Sequence, residues 1–373
     1  MKSSIPQMVW AGVAIIVLAL IHVAFPTFGH VPLFHAYALG FVHHGTWPRE
    51  YPYLAAVEFA LPLALPLSYN AAWLLLEALG WFGVAYVLYL EGANLWLWGG
   101  AILLAGIEPA FGLAEAYPVL LVAIAFYLQS RGKIAGSGLA LAAAAAIRLY
   151  PLLLLPIWLA GLRTWRERVR LAGWSLIPFV GGWIIAYLRH PGGVFSAVFW
   201  ELGRPAEFES SPAAVSYLLH LLGVPMRFAM GYGSTLVLSP ESAIVTLLFE
   251  VTAVGLLAYL IWQVYRGHLD IPRASVVALA GILALHKSMT PEYVLWLLPF
   301  AALVGEDTGL WLLLGALTAL VFPFVRIATA PGGRPIPVAP LEMDVVVARD
   351  LVLGLLPLVA LWRWRSGSRA KKA

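Results

Sequence analysis

The chain reads as a succession of apolar runs separated by short polar breaks. The runs fall near Val9–Phe25, Tyr53–Leu67, Ala71–Leu90, Leu95–Ile107, Pro118–Leu128, Leu139–Ala160, Leu171–Leu188, Ser242–Tyr265, Ser275–Leu285, Tyr293–Val304, Leu310–Arg326 and Asp350–Trp362. Segments of this kind predict membrane-embedded helices, because a backbone in lipid must satisfy its hydrogen bonds within the segment. Four of the breaks are strongly basic: Arg131–Lys133, Arg163–Arg170, Arg266–Arg273 and the tail Arg363–Lys372. The positive-inside rule places them, with Lys2, in the cytoplasm.

Parity then constrains the path. Lys133 and Arg163 lie on the same side, so the apolar stretch between them crosses an even number of times. It holds Arg148 and then Pro151, and a proline is a natural place for the chain to turn back. Two short helices meeting at Arg148–Pro151 satisfy the parity and bring Arg148 to the outer side. In the N-terminal third the same counting forbids three crossings between the first outer segment and Glu108–Tyr117. Tyr53–Leu67 is the weakest of the three, bracketed by Pro48, Pro52, Pro62 and Pro66 and containing Glu58. We read it as an outer, non-crossing segment. The expected architecture is therefore an all-α polytopic transmembrane bundle, residues 1–373 forming one integral membrane domain. It makes about twelve crossings with both termini cytoplasmic. Its outer segments are 26–70, 108–117, 189–239, 286–292 and 327–348.

Composition fixes the class and excludes others. At 62% hydrophobic and 11% charged, the chain lies far outside the soluble range. The net charge of +4 resides in short loops, as membrane topology requires, so nucleic acid is not an expected partner. With no cysteine, disulfides, thiol catalysis and thiolate metal sites are excluded. The residues after the first run, Ala24-Phe25-Pro26-Thr27-Phe28, make a poor signal cleavage site, so an uncleaved first span is expected. There is no internal repeat, which removes one mark of a transporter built from repeated halves.

Arg148 is the most informative single residue. A guanidinium within an apolar run costs about 2.5–3.5 kcal/mol on insertion scales, which makes it a functional-site candidate. The alternative is an arginine that snorkels or caps carbonyls. On the expected topology, other polar residues gather on the same outer face. Arg148, Lys287 and Arg204 are candidates to bind a phosphate. Glu50, Glu115, Glu209 and Glu292 are candidate bases, and together they form an inventory for moving a group from a phosphate leaving group to a hydroxyl. His30, His35, His43 and His44 share one segment, but only His30 and His35 have near-helical spacing, so no metal site is expected.

The ordered set of outer segments resembles a known family. Gly45-Thr46-Trp47-Pro48 followed by Glu50-Tyr51-Pro52-Tyr53, then Ile147-Arg148-Leu149-Tyr150-Pro151, then Lys287-Ser288-Met289-Thr290-Pro291-Glu292-Tyr293 with Trp296 and Pro299, looks like the GT-C membrane glycosyltransferases. The match is to polyprenol-phosphate-mannose-dependent mannosyltransferases, both the bacterial group and the GPI mannosyltransferase I group. Arg204-Pro205-Ala206-Glu207-Phe208-Glu209-Ser210 is similar to a stretch of the bacterial members. The resemblance runs from about Phe25 to Leu303. His286 stands where the family has asparagine and Glu292 where it has glutamine. One departure bears on catalysis: the family carries an early aspartate in the first outer segment, and Thr27–Tyr37 has no acid, with His30 near the expected place.

The resemblance implies an inverting hexosyltransferase, with mannose as the expected sugar. The donor is linked to polyprenyl phosphate and the acceptor is a lipid or glycan on the outer face of the cell membrane, with membrane lipids as surroundings and no cofactor. In this reading Glu50 or His30 is the catalytic base and Arg148 and Lys287 hold the donor phosphate. Tyr150, Glu115, Arg204, Glu209, Glu292 and Tyr293 contact substrate. A non-catalytic member that binds a lipid-linked sugar, and a transporter or flippase, are the alternatives.

Overall fold

The computed structural model describes residues 4–25, 30–189, 195–325, 338 and 340–370. Parts of the expected outer segments, at 26–29, 190–194, 327–337 and 339, lie outside the described residues, as do Lys2 and Lys372. The chain opens with α1 (Ile5–Ala24), then α2 (Val31–His44), α3 (Ala55–Ala60) and a 3-10 turn at Leu61–Ala64. The next group is α4 (Tyr69–Leu90), α5 (Leu95–Ala105), the one-turn α6 (Pro109–Gly112) and α7 (Ala116–Ser130). Arg148 separates α8 (Ile134–Ile147) from α9 (Pro151–Gly161), and α10 (Trp165–Arg189) follows. After α11 (Ser196–Gly203) and α12 (Ser211–Leu221) comes an antiparallel hairpin of β1 (Arg227–Gly231) and β2 (Ser234–Leu238). Then α13 (Ser242–Tyr265), α14 (Ile271–Leu285), α15 (Val294–Val304), α16 (Thr308–Ala319) and α17 (Pro340–Ala370) complete the chain.

Five helices are long and apolar enough to cross a membrane: α1, α4, α10, α13 and α17 as far as Trp364. Several shorter apolar helices pack among them. Helix starts are set by local chemistry: Ser68, Asn94, Ser210 and Asp270 each accept a hydrogen bond from a first-turn N–H. In α15 every residue from Val294 to Ala302 is buried, and α14 is buried along most of its length. In contrast, only 6% of the apolar window of α13 is buried. An apolar helix with so little protein cover suits contact with lipid tails. Two buried tryptophans fix the short α6 turn near the site. Trp73 donates to the Phe111 carbonyl at 2.8 Å and Trp81 to that of Ala110 at 2.6 Å.

The expected turn at Arg148–Pro151 is present, with Arg148 extended (φ −138°, ψ 133°) and Pro151 opening α9. Tyr53–Leu67 holds only α3 and the 3-10 turn, so its helical part is about 15 Å long at 1.5 Å per residue, half a hydrocarbon core.

The described residues are almost entirely helical, in keeping with the expected all-α membrane class, and one short two-stranded hairpin is the exception among them. Tyr232 and Gly233 both have positive φ (52° and 72°), the geometry of a tight two-residue hairpin turn, and they close β1 onto β2 inside the expected outer loop 189–239. The expected outer segments 26–70 and 189–239 contain helices of their own, α2 and α3 in the first and α11 and α12 in the second. The last long helix begins at Pro340, well before Asp350, so 327–348 is not loop throughout.

Candidate functional site

Three segments build the site, and two of them are stitched together by backbone hydrogen bonds. The Glu207 N–H donates to the Lys287 carbonyl at 2.9 Å, joining the Arg204–Ser210 segment to the His286–Tyr293 segment. Phe208 N–H donates to Thr235 and Val237 N–H to Ala206, so the same segment adds to the edge of the hairpin. Ser210 then caps α12. The third segment is the α8–α9 turn, carrying Arg148.

These segments and the region from His30 to Tyr51 surround a cavity of about 460 Å³. His30, Glu50 and Tyr51 line it from the N-terminal part, Glu108 from the turn before α6, and Arg148 from the α8–α9 turn. Trp200, Glu201, Arg204, Glu207 and Glu209 line it from the segment before α12. Tyr232 comes from the hairpin, and Thr290, Glu292 and Tyr293 from the last motif. Six glutamates thus face two arginines and one histidine.

Both arginines are already engaged. Arg148 pairs with Glu115 at 2.6 Å, and its guanidinium lies 4.5 Å from the ring centre of Tyr51. Arg204 pairs with Glu207 and lies 3.9 Å from Glu201. Glu50 accepts a hydrogen bond from the Tyr37 hydroxyl at 2.8 Å. Burial pushes the Glu207 carboxyl up to about 7, against the pull of Arg204. Burial also drives Glu108 and Glu209 well above the carboxylate range. At neutral pH the cavity is therefore less negative than its glutamate count suggests, and a neutral carboxyl can donate a hydrogen bond as well as accept one.

Other expected site residues stand behind the cavity wall. Glu115 is fully buried and accepts the Trp296 indole N–H at 2.7 Å. Tyr150 stacks on Trp296, their ring centres 4.0 Å apart. Lys287 does not join Arg148 in the cavity wall. It is nearly buried, and its ammonium donates to the Leu202 carbonyl at 3.0 Å. The expectation that Arg148 and Lys287 share one cavity is therefore corrected, and Arg204 takes the second cationic place. The physical reason is local. The Lys287 carbonyl serves the Glu207 N–H while the side chain turns to the end of α11.

Several residues of the site were not singled out from the sequence. Glu108, Trp200, Glu201 and Tyr232 line the cavity, and Glu201 accepts from the Ser288 hydroxyl at 2.6 Å. Arg349 is completely buried, pairs with Asp350 at 2.9 Å and donates to the Glu209 carbonyl. Its sequence signal differs from that of Arg148: Arg349 follows the apolar run Val345–Ala348 but is followed at once by Asp350, so it reads as one half of a local charge pair.

Among the described residues no three histidines, aspartates or glutamates are grouped to hold a metal ion. His30 sits edge-on to Phe34, and His35 stacks on Tyr69 with ring centres 4.2 Å apart. No family model matches this chain, and no curated protein is significantly similar to it.

Proposed function

We propose that this chain is a membrane glycosyltransferase of the GT-C type, moving a hexose from a polyprenyl-phosphate donor to a hydroxyl on a lipid or glycan acceptor. Mannose is the sugar the resemblance supplies. The observation that carries this reading is convergence. Residues from four motif segments far apart in the chain, Glu50–Tyr51, Arg148, Arg204–Glu209 and Thr290–Tyr293, line one cavity. We place that cavity on the outer face, with about twelve crossings and both termini inside, from the basic loops.

The cavity's chemistry suits the reaction. An acceptor hydroxyl oxygen bonds to the sugar's anomeric carbon as the bond from that carbon to the phosphate oxygen breaks. The polyprenyl phosphate departs with the electron pair, and the hydroxyl proton passes to a carboxylate. A single displacement of this kind inverts the anomeric centre. Arg148 and Arg204 stabilise the charge growing on the phosphate. Glu50, half-buried and oriented by Tyr37, is the base. Tyr51, Trp200, Tyr232 and Tyr293 offer ring faces to the sugar or the acceptor.

The test is transfer from radiolabelled polyprenyl-phosphate mannose by purified protein in lipid nanodiscs. Wild type should produce labelled glycan or glycolipid, and Glu50→Gln should lose turnover while still binding the donor. Full activity in Glu50→Gln would move the base to His30 or another cavity carboxylate. Donor binding without any transfer by the wild type would favour the non-catalytic reading.

A further inference from the structure

A tryptophan and a glutamate behind the cavity wall form one construction with Arg148. Glu115 lies fully buried, just before α7, with its two oxygens divided between partners. One accepts the Trp296 indole N–H at 2.7 Å, and the other meets Arg148 at 2.6 Å. Trp296 is itself held by stacking on Tyr150 and on Tyr293, with ring centres 4.0 and 4.1 Å away and planes within 25°. On the Arg148 side, the Tyr51 ring covers the guanidinium at 4.5 Å.

A lone buried carboxylate would neutralise Arg148 without fixing its direction, since either oxygen could serve. The indole N–H removes that freedom by occupying one oxygen, which leaves the other for the guanidinium. Arginine binds phosphate through a planar fork, so direction matters as much as charge. Arg148, Tyr51 and Tyr293 line the cavity, whereas Glu115, Trp296 and Tyr150 do not. The indole therefore ties two parts of the wall together without lining the cavity itself.

We propose that Trp296 and Glu115 are positioning residues that aim the Arg148 guanidinium at the donor phosphate. This rests on the glycosyltransferase reading. Trp296 acts through the N–H donated to Glu115, and its ring serves as the anchor that keeps the N–H in place.

The test is a double-mutant cycle with Trp296→Phe, which keeps a ring for the stack and removes the N–H. The readout is kcat/KM for polyprenyl-phosphate mannose in nanodiscs. Trp296→Phe should lower it about tenfold, on the scale of one charge-assisted hydrogen bond. In an Arg148→Ala background the same change should have no further effect, because a residue acting only through Arg148 is silent once Arg148 is gone. An undiminished loss in that background, or no loss in the single variant, overturns the proposal. Should Arg148→Ala fail to accumulate, Arg148→Lys serves, since an ammonium has no fork to aim. A cryo-EM comparison of wild type and Trp296→Phe supplies a readout independent of the substrate. The Glu115 carboxylate and Arg148 should reorient, and unchanged positions overturn the proposal. A wild type that transfers nothing would sink the glycosyltransferase reading instead, leaving the structural comparison to decide the positioning.

Discussion

Arg148 shows what a single residue can reveal. Its charge within an apolar run was legible, and so was its place at a proline turn. The sequence could not show that Glu115 and Tyr51 would hold it, because those partners come from distant segments. Lys287 illustrates the converse: spacing and resemblance favoured it, yet its side-chain direction follows from a carbonyl at the end of α11 that no local pattern announces. The cavity glutamates carry a prediction at this scale. Folding raises Glu207 from its ordinary 4.5 to about 7, chiefly through burial. Below pH 4.5 both folded and unfolded chains hold that proton. Between there and pH 7 only the folded chain does, so the stabilisation is lost as pH rises through this window. Glu108 and Glu209 act in the same direction. The unfolding temperature in detergent should therefore fall from pH 5 to pH 8, and Glu207→Gln should flatten the slope. A midpoint that rises across that range contradicts the assignment.

At the scale of elements, the apolar runs became helices because lipid leaves the backbone no other partner, and most of their positions were legible to within a few residues, the last helix, which starts ten residues early at Pro340, being the main exception. The hairpin was not, since its strands are only five residues each and their apolar residues run consecutively (Phe228–Met230 and Leu236–Leu238), which gives no hydrophobic alternation to read. The close approach of α8 to α10 was equally hidden. A Cβ added at Gly138 would lie 2.8 Å from the Trp174 Cβ and 3.0 Å from the Leu171 carbonyl oxygen, so the α10 backbone itself would have to move. Gly138→Ala should thus destabilise by about 1–3 kcal/mol, the usual range for overpacking. A thermal midpoint equal to that of wild type would show that α10 yields freely. The segment before α4 carries the topology. Asn70 is exposed at the start of α4, and the chain has no cysteine of its own. Asn70→Cys should react with an impermeant thiol reagent added outside intact cells. Reaction only after permeabilisation would place this end of α4 in the cytoplasm and reverse the assignment.

Over the whole molecule, the architecture places long apolar helices such as α13 at the periphery and gathers shorter ones inside. Short helices end at turns within the bundle, and Arg148 occupies one of those ends. That is how a polar cavity forms in a chain so rich in apolar residues. The number of crossings was the least legible feature, because a short apolar helix buried among others reads like one that spans. The central claim is that this one cavity receives a lipid-linked sugar phosphate. Photo-crosslinking tests it most directly, using a polyprenyl-phosphate sugar bearing a photoreactive group on the sugar, with wild-type protein in nanodiscs and the labelled peptides identified by mass spectrometry. Labels should concentrate in peptides containing Glu50–Tyr51, Trp200–Glu209 and Thr290–Tyr293, and unlabelled polyprenyl-phosphate mannose should suppress them. Labelling confined to the lipid-facing surface of α13, unaffected by competitor, would contradict the account.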